Sequence, residues 1–183
     1  RLAALGSSYE DVRCRVCDGT IHYLINAGSL TYTSGVSWYA VIDTDVNDAQ
    51  DRIWCDDIVG AQGFVNFYSN GSFSINNGSG YKTATLVSLS ETPNQEIRSF
   101  NFNSSTGRAN GSINLENTDL SSVSGWNNLP ISTSSAANVG VGGAGNGGQH
   151  LDGKLQELIV YTSNKGAQRS FIVDNINSYY SIY

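Results

Sequence analysis

The sequence predicts an all-β fold: a sandwich of two antiparallel sheets, closed by one helix at the C-terminus. Three observations carry this expectation. Only 14% of the residues are charged, and polarity comes instead from abundant Ser, Thr, Asn and Gly, as in strands joined by tight turns. Short alternating or apolar runs recur between Asn-Gly and Ser-Gly punctuation, with no internal repeat and no evident linker. The last stretch, Leu151 to Tyr183, reads as a strand, a polar turn and a helix.

That closing stretch is the most patterned part of the chain. Gly153 to Tyr161 is apolar at Leu155, Leu158, Ile159, Val160 and Tyr161, which fall on both faces of the pleat, as in a strand buried on both sides. Ile172, Ile176 and Tyr180 then recur every fourth residue, with Val173 and Tyr179 beside them. This is a helical stripe roughly 100° wide that must dock on something apolar. The expected dock is a plug, Ile172 to Tyr183, over one end or edge of the sandwich.

The other elements follow in order. Val12 to Cys17 and Ile21 to Asn26 read as strands, and Ser37 to Ile42 (SWYAVI) is β-prone enough to be central. An acidic loop, Asp43 to Asp51, precedes a short strand from Arg52 to Cys55. Phe64 to Tyr68 and Ser72 to Asn76 flank Asn70-Gly71, a strong hairpin signal because both residues tolerate φ > 0. Asn77-Gly78 and Asn110-Gly111 are further turn candidates, and Thr83 to Leu89 is a strand candidate. Arg98 to Asn103 alternates, with Phe100 and Phe102 inward and Ser99, Asn101 and Asn103 outward. Gly111 to Glu116 repeats the pattern with Ile113 and Leu115 inward. Asn117 to Pro130 loses its period, Ala137 to Val141 is a strand, and Gly142 to Gly148 is a glycine-rich loop.

At 183 residues the chain fits one domain, 1–183, and a chain of this size buries roughly 70% of its unfolded surface. It contains no methionine, which predicts a processed product or a piece of a longer chain. A net charge of −6 argues against nucleic acid, which needs clustered Lys and Arg. No apolar run approaches the roughly 20 residues of a membrane-spanning helix. Cys14 and Cys17 have the spacing of half a zinc site, but no second pair follows, and Cys55 with His22 or His150 would have to complete it. Buried thiols are the plain reading, and a Cys17–Cys55 disulfide stays open.

The sequence holds few residues arranged for catalysis. A retaining glycosidase needs two carboxylates about 5 Å apart, and no Glu-x-Asp-x-x-Glu run occurs. Glu157 stands in a strand with no partner two residues away, and its plain reading is a carboxylate tied to backbone or to an Arg such as Arg169. Gly-x-Ser-x-Gly is absent, and only His22 and His150 are candidate bases. The best metal candidate is the acidic loop, where Asp43, Asp45, Asn47 and Asp51 resemble the start of a calcium loop. Asp48 replaces the needed glycine and Trp54 the bidentate glutamate, so this is no EF-hand, but hard oxygens there would suit calcium. For sugar binding, a ring beside planar amides is the useful pattern. Trp126 with Asn127 and Asn128 supplies it, as do Trp54 beside Asp56 and Asp57, with His150 at a rim. Asn70, Asn77, Asn103 and Asn110 match the N-glycosylation pattern, three of them as Asn-Gly-Ser turns.

Gly153 to Tyr161, then Ser163-Asn164, Arg169, Asn175-Ile176-Asn177 and Tyr179-Tyr180, resemble the end of concanavalin A-like, laminin-G-like jelly-roll domains. The likeness is to modules of bacteriophage and marine bacterial surface proteins, where a glycine-led strand precedes an Arg-containing helix ending in tyrosines. Trp38 to Ile42 looks like that family's early core strand, Arg98 to Leu115 like its strand pair around an Asn-Gly turn, and Tyr9 to Val16 like the preceding Arg-Val strand. The resemblance implies a jelly roll and carries no catalytic residue across.

It also sets the functional expectations. The first is a non-enzymatic carbohydrate-binding or adhesion module on a virion, or extracellular on a cell surface. Its partners would be a glycan or host-surface polysaccharide, other structural subunits and further copies of itself. Loops around Asp43–Asp57, Trp126 and Gly142–His150 would form its concave face. The alternative is a structural decoration or assembly module without a glycan site. A hydrolase or lyase ranks last.

Overall fold

A computed structural model of the chain describes residues 17–18, 24–27, 35–44, 52–58, 61–68, 72–76, 81–85, 95–103, 105–106, 108–114, 116–119, 138–141 and 151–183. The strands are β1 (Cys17–Asp18), β2 (Leu24–Ala27), β3 (Gly35–Thr44), β4 (Arg52–Ile58), β5 (Ala61–Tyr68), β6 (Ser72–Asn76) and β7 (Tyr81–Thr85). They continue with β8 (Glu96–Asn103), β9 (Arg108–Ile113), β10 (Glu116–Asp119), β11 (Asn138–Val141) and β12 (Asp152–Tyr161), and the helix is α1 (Arg169–Tyr180). They build two six-stranded sheets, ordered β1-β12-β3-β8-β9-β10 and β2-β11-β4-β5-β6-β7. Every pairing is antiparallel. The fold is all-β with one short C-terminal helix, as the composition predicts.

β3 is the centre of the first sheet, paired to β12 on one side and β8 on the other. One of its faces carries Val36, Trp38, Ala40 and Ile42, and register sets Phe102 beside Val36 and Phe100 beside Trp38. All are buried. β12 joins this face by means of a bulge. Leu155 and Leu158 are three residues apart, so a regular strand would point them to opposite sides. The register shift between Leu155 and Glu157 sets them opposite Ile42 and Ala40 instead, two residues apart on one face of β3. They are 3% and 2% exposed, while Gln156 at the bulge faces solvent. Arg98 lies opposite Ala40 on this buried face and pairs with Glu96 at 3.0 Å. Burial pushes its guanidinium below the usual range, and the Glu96 carboxylate opposes that shift. At the start of β3, Gly35 has φ +140°, and a Cβ there would fall 1.8 Å from the Phe102 carbonyl oxygen, so only glycine fits.

The other face of β3 corrects two expectations. Ser99 and Asn101 are buried rather than outward, because α1 and the 3-10 turn before it, Gly166–Gln168, roof that face. α1 therefore covers a sheet face, not an end or edge of the sandwich. Val173 and Ile176 pack with Tyr39, Val41, Ile97 and Tyr161, and Ile159, Ile172, Tyr180 and Ile182 flank them. Tyr179 departs from the expected stripe: it is 81% exposed, and Phe171 is 75% exposed. Polar side chains under the roof are paired across strands. The Tyr39 hydroxyl donates to Asn101 Oδ1 at 3.0 Å, and the Ser99 and Ser112 hydroxyls share a hydrogen bond at 2.6 Å. The helix ends at Ser181, φ 53°, whose N–H donates to the Asn177 carbonyl. Asn177 Oδ1 accepts from the N–H groups of Ile182 and Tyr183, and its Nδ2 donates to the Tyr183 carbonyl, folding the tail back on the helix.

Turn chemistry was legible in part. β5 and β6 pair across Asn70-Gly71, with Phe67 opposite Phe73, and β6 and β7 pair across Asn77-Gly78. Asn110-Gly111 is not a turn: both residues lie inside β9, opposite Asn101 and Phe100. The β8–β9 hairpin reverses earlier, between the register partners Asn103 and Arg108, where Asn103 Oδ1 accepts from the N–H groups of Ser105 and Thr106. Nor is Gly111 to Glu116 one strand, because Ile113 already faces Glu116 across a second hairpin. Asn114 makes that reversal with φ 53°. Its N–H donates to the Ile97 carbonyl at 2.7 Å and its Oδ1 accepts the Ile97 N–H at 2.9 Å, so it completes the ladder while the chain turns away. β3 runs to Thr44, two residues into the expected acidic loop. The expected strand segments 12–16, 21–23 and 86–89 lie outside the described residues.

Two outcomes follow from this packing. Ile176→Ala should cost about 2–5 kcal/mol in urea unfolding, whereas Tyr179→Ala should stay within about 0.5 kcal/mol. Equal losses would mean that α1 is docked on a different face. Burial raises the Tyr39 phenol above its ordinary value, as it does Tyr161. Above pH about 10 the unfolded chain gives up these protons before the folded one does, so stability should fall as pH rises from there. Tyr39→Phe should flatten that alkaline decline.

Candidate functional site

Ladder register decides which loops leave from a common end. In the first sheet β3 finishes at Thr44, opposite Gly153, and β12 enters beside it at Asp152. In the second sheet β4 starts at Arg52, and β11 finishes at Val141, opposite Trp54. Segments 45–51 and 142–150 therefore connect strand ends that are neighbours in both sheets, and two separate ladders agree on it. Segment 120–137 is bracketed differently. β10 finishes at Asp119, opposite Asn110, which pairs through Asn101 with Ser37. β11 begins at Asn138, opposite Asp57. Ser37 and Thr44 are separated by roughly 23 Å of strand. The segment holding Trp126 is thus anchored, in each sheet, at the end away from the acidic and glycine-rich segments.

The described floor of the Thr44–Asp152 end is polar. Asp43 and Lys154 are register partners, and Lys154 Nζ lies 3.2 Å from Asp43 Oδ2. Beside them Gln95 Nε2 donates to Gln156 Oε1, tying the start of β8 to the β12 bulge. Glu96 opens β8 at the same end, opposite Ile42, and holds Arg98 behind it. The arrangement offers a carboxylate, an ammonium and two amides, a set suited to hydrogen-bonding hydroxyls or sharing a hard cation, with no nucleophile–base pair. Sequence reasoning missed Lys154, Gln95 and Gln156. Their signal is tertiary, since only the β3–β12 register sets Lys154 on Asp43.

Of the expected ligands, Asp43 is thus placed at the end of β3, and Asp45, Asn47 and Asp51 lie outside the described residues. Trp126, Asn127, Asn128 and His150 lie outside them as well, although Leu151 next to His150 is fully buried. Trp54 is in β4, the register partner of Phe67 in β5 and of Val141 in β11. Among the described residues no group of three or more His, Cys, Asp or Glu gathers as metal ligands. Cys17 and Cys55 stand on strands of different sheets. Glu157 is partly buried on the roofed face, opposite Val41, while Arg169 Nη1 reaches the Gly111 carbonyl at 3.5 Å.

No family model matches the chain, and no curated protein matches it in sequence. Solved structures do. A heptameric SAP-like pentraxin from Limulus polyphemus is 14% identical with a TM-score of 0.56, over 84% of this chain and 77% of that one. The CBM40 of the Ruminococcus gnavus IT-sialidase, solved bound to α2,3-sialyllactose, is 11% identical with a TM-score of 0.55, over 89% of this chain and 96% of that one. The extracellular region of zebrafish Gpr126/Adgrg6 is 15% identical with a TM-score of 0.61, over 87% of this chain but 22% of that one. Among the described residues no helix is long and apolar enough to cross a membrane.

The Asp43–Lys154 pair has side chains 23% and 54% exposed, so water screens it. Asp43→Asn and Lys154→Gln should each shift stability by less than about 1 kcal/mol in urea unfolding. That makes both usable as probes of this end. These likenesses, at such low identity, carry the fold alone: the chain has a jelly-roll fold like theirs.

Proposed function

We propose that the chain is a non-enzymatic carbohydrate-binding or adhesion module working outside the cell, on a cell or virion surface. The observation that supports this reading is the register that sets the strand ends flanking segments 45–51 and 142–150 side by side, next to Asp43, Lys154, Gln95 and Gln156. Support comes also from the jelly-roll neighbours, a carbohydrate-binding module and a pentraxin. Calcium, held by Asp43, Asp45, Asn47 and Asp51, is the ion this donor set would take. With a net charge of −6, an acidic sugar such as a sialoside would need a bridging cation, whereas a neutral one would not. Trp54 and His150 belong to segments leading into this end. Trp126, Asn127 and Asn128 would form a separate contact.

A glycan array with α2,3-sialyllactose and neutral oligosaccharides, run with calcium and with chelator, tests the reading. Binding that chelation removes is expected, and silence in both conditions counts against it. Calcium titration should show Asp43→Asn weakening affinity by about tenfold or more, while Lys154→Gln, which removes the competing ammonium, strengthens it.

The exposed Phe171 and Tyr179 on α1 favour a second reading, an assembly module whose helices meet other copies. Light scattering separates the two: a stable oligomer that Tyr179→Ala dissolves, with no glycan bound, supports assembly. Polysaccharide turnover lost in Glu157→Gln would instead point to a hydrolase.

A further inference from the structure

Two of the four Asn-x-Ser matches, Asn103 and Asn110, are both partly exposed but have different neighbours. Asn103 closes β8 and is partly exposed. Its Oδ1 accepts from the Ser105 N–H at 3.0 Å, the Ser105 hydroxyl at 2.7 Å and the Thr106 N–H at 3.3 Å. This Asx turn occupies the amide oxygen and holds the sequon hydroxyl against it. Ser105 and Thr106 are exposed, and no described residue accepts a hydrogen bond from Asn103 Nδ2. Asn110 lies inside β9, under the 3-10 turn. A Cβ on Gly166 would stand 3.6 Å from Asn110 Nδ2, and Asn110 Oδ1 is buried. A sugar on that nitrogen would crowd the Gly166 turn that lies against it.

We propose that Asn103 is an N-glycan acceptor and that Asn110, with an equivalent sequon, stays unmodified in the folded protein. In the step, Asn103 Nδ2 bonds to the anomeric carbon of an oligosaccharide carried on a lipid diphosphate. The bond from that carbon to the phosphate oxygen breaks, the lipid diphosphate leaves, and Nδ2 gives one proton to a base of the transferring enzyme. The glycan would stand beyond Gly35, the register partner of Asn103, at the opposite end of β3 from Thr44. It would leave the proposed rim uncovered.

The test is secretion of the chain from a eukaryotic cell behind a heterologous leader. Trypsin cuts after Arg98 and Arg108 and so separates the two asparagines onto different peptides. Glycoamidase treatment in heavy-oxygen water marks each occupied asparagine, and a digest without the enzyme sets the background from spontaneous Asn-Gly deamidation. Protease-resistant secreted protein should be marked at Asn103 and not at Asn110. Ser105→Ala should lose the Asn103 mark and still be secreted, since Ser105 is exposed. Resistant protein with Asn103 unmarked, Asn110 marked, or Asn103 still marked in Ser105→Ala would overturn the proposal. None of these readouts depends on ligand binding.

Discussion

The structure depends on β3 being covered on both faces. Its side chains are bulky in both directions, Trp38 and Ile42 one way and Tyr39 and Val41 the other, and all four are fully buried. A central strand of this kind is stable only as the middle of a layered fold, since leaving one face wet would forfeit about 1.5–3 kcal/mol per large side chain. Docking of α1 follows from that constraint. Val173 and Ile176 are the residues of the helix that complete the Tyr39–Val41–Ile97–Tyr161 cluster. The bulge in β12 serves the opposite face by bringing two leucines to the same side.

The roof over β3 is not purely apolar, and this restricts how it can be seated. The Ser37 hydroxyl accepts the Lys165 N–H at 2.7 Å, and Asn164 Oδ1 accepts the Gly166 N–H at 2.9 Å. Lys165 Nζ lies 5.5 Å from the Tyr161 ring centre. These contacts set the turn over Asn101 and Asn110, and Gly166 is small enough to approach both. The seat carries a cost as well. Asn101 Nδ2 and Asn110 Oδ1, on register partners, are buried without a hydrogen-bond partner, and each such atom costs about 1–3 kcal/mol. Apolar burial around Tyr39 and Val173 must offset it.

The candidate rim rests on the same frame. Asp43 and Lys154 meet only because β3 and β12 are neighbours in register, and the Gln95–Gln156 contact spans from the start of β8 to the bulge. The feature that shapes the core face of β12 therefore also presents Gln156 to solvent at the rim. A ligand met there, as proposed, would rest on strand ends.

Local sequence determined the things that depend on neighbours along the chain. Alternation and β-branched content located β3, β8 and β12, Asn-Gly set the β5–β6 hairpin, and the four-residue spacing of Ile172, Ile176 and Tyr180 marked α1. The acidic segment was legible as oxygen donors for the same reason, composition being local. What failed was whatever depended on partners distant in sequence. Asn110-Gly111 has turn chemistry, yet pairing with β8 holds it extended, and Asn114 takes the reversal because Ile97 accepts and donates the hydrogen bonds it needs. Ser99 and Asn101 look like solvent-facing positions until a helix some seventy residues later covers them. Grouping of the loops was likewise invisible, because the end of a sheet from which a loop leaves is set by strand order and register. Hydrophobic period reports which side of an element is apolar, and only tertiary packing decides what lies against it.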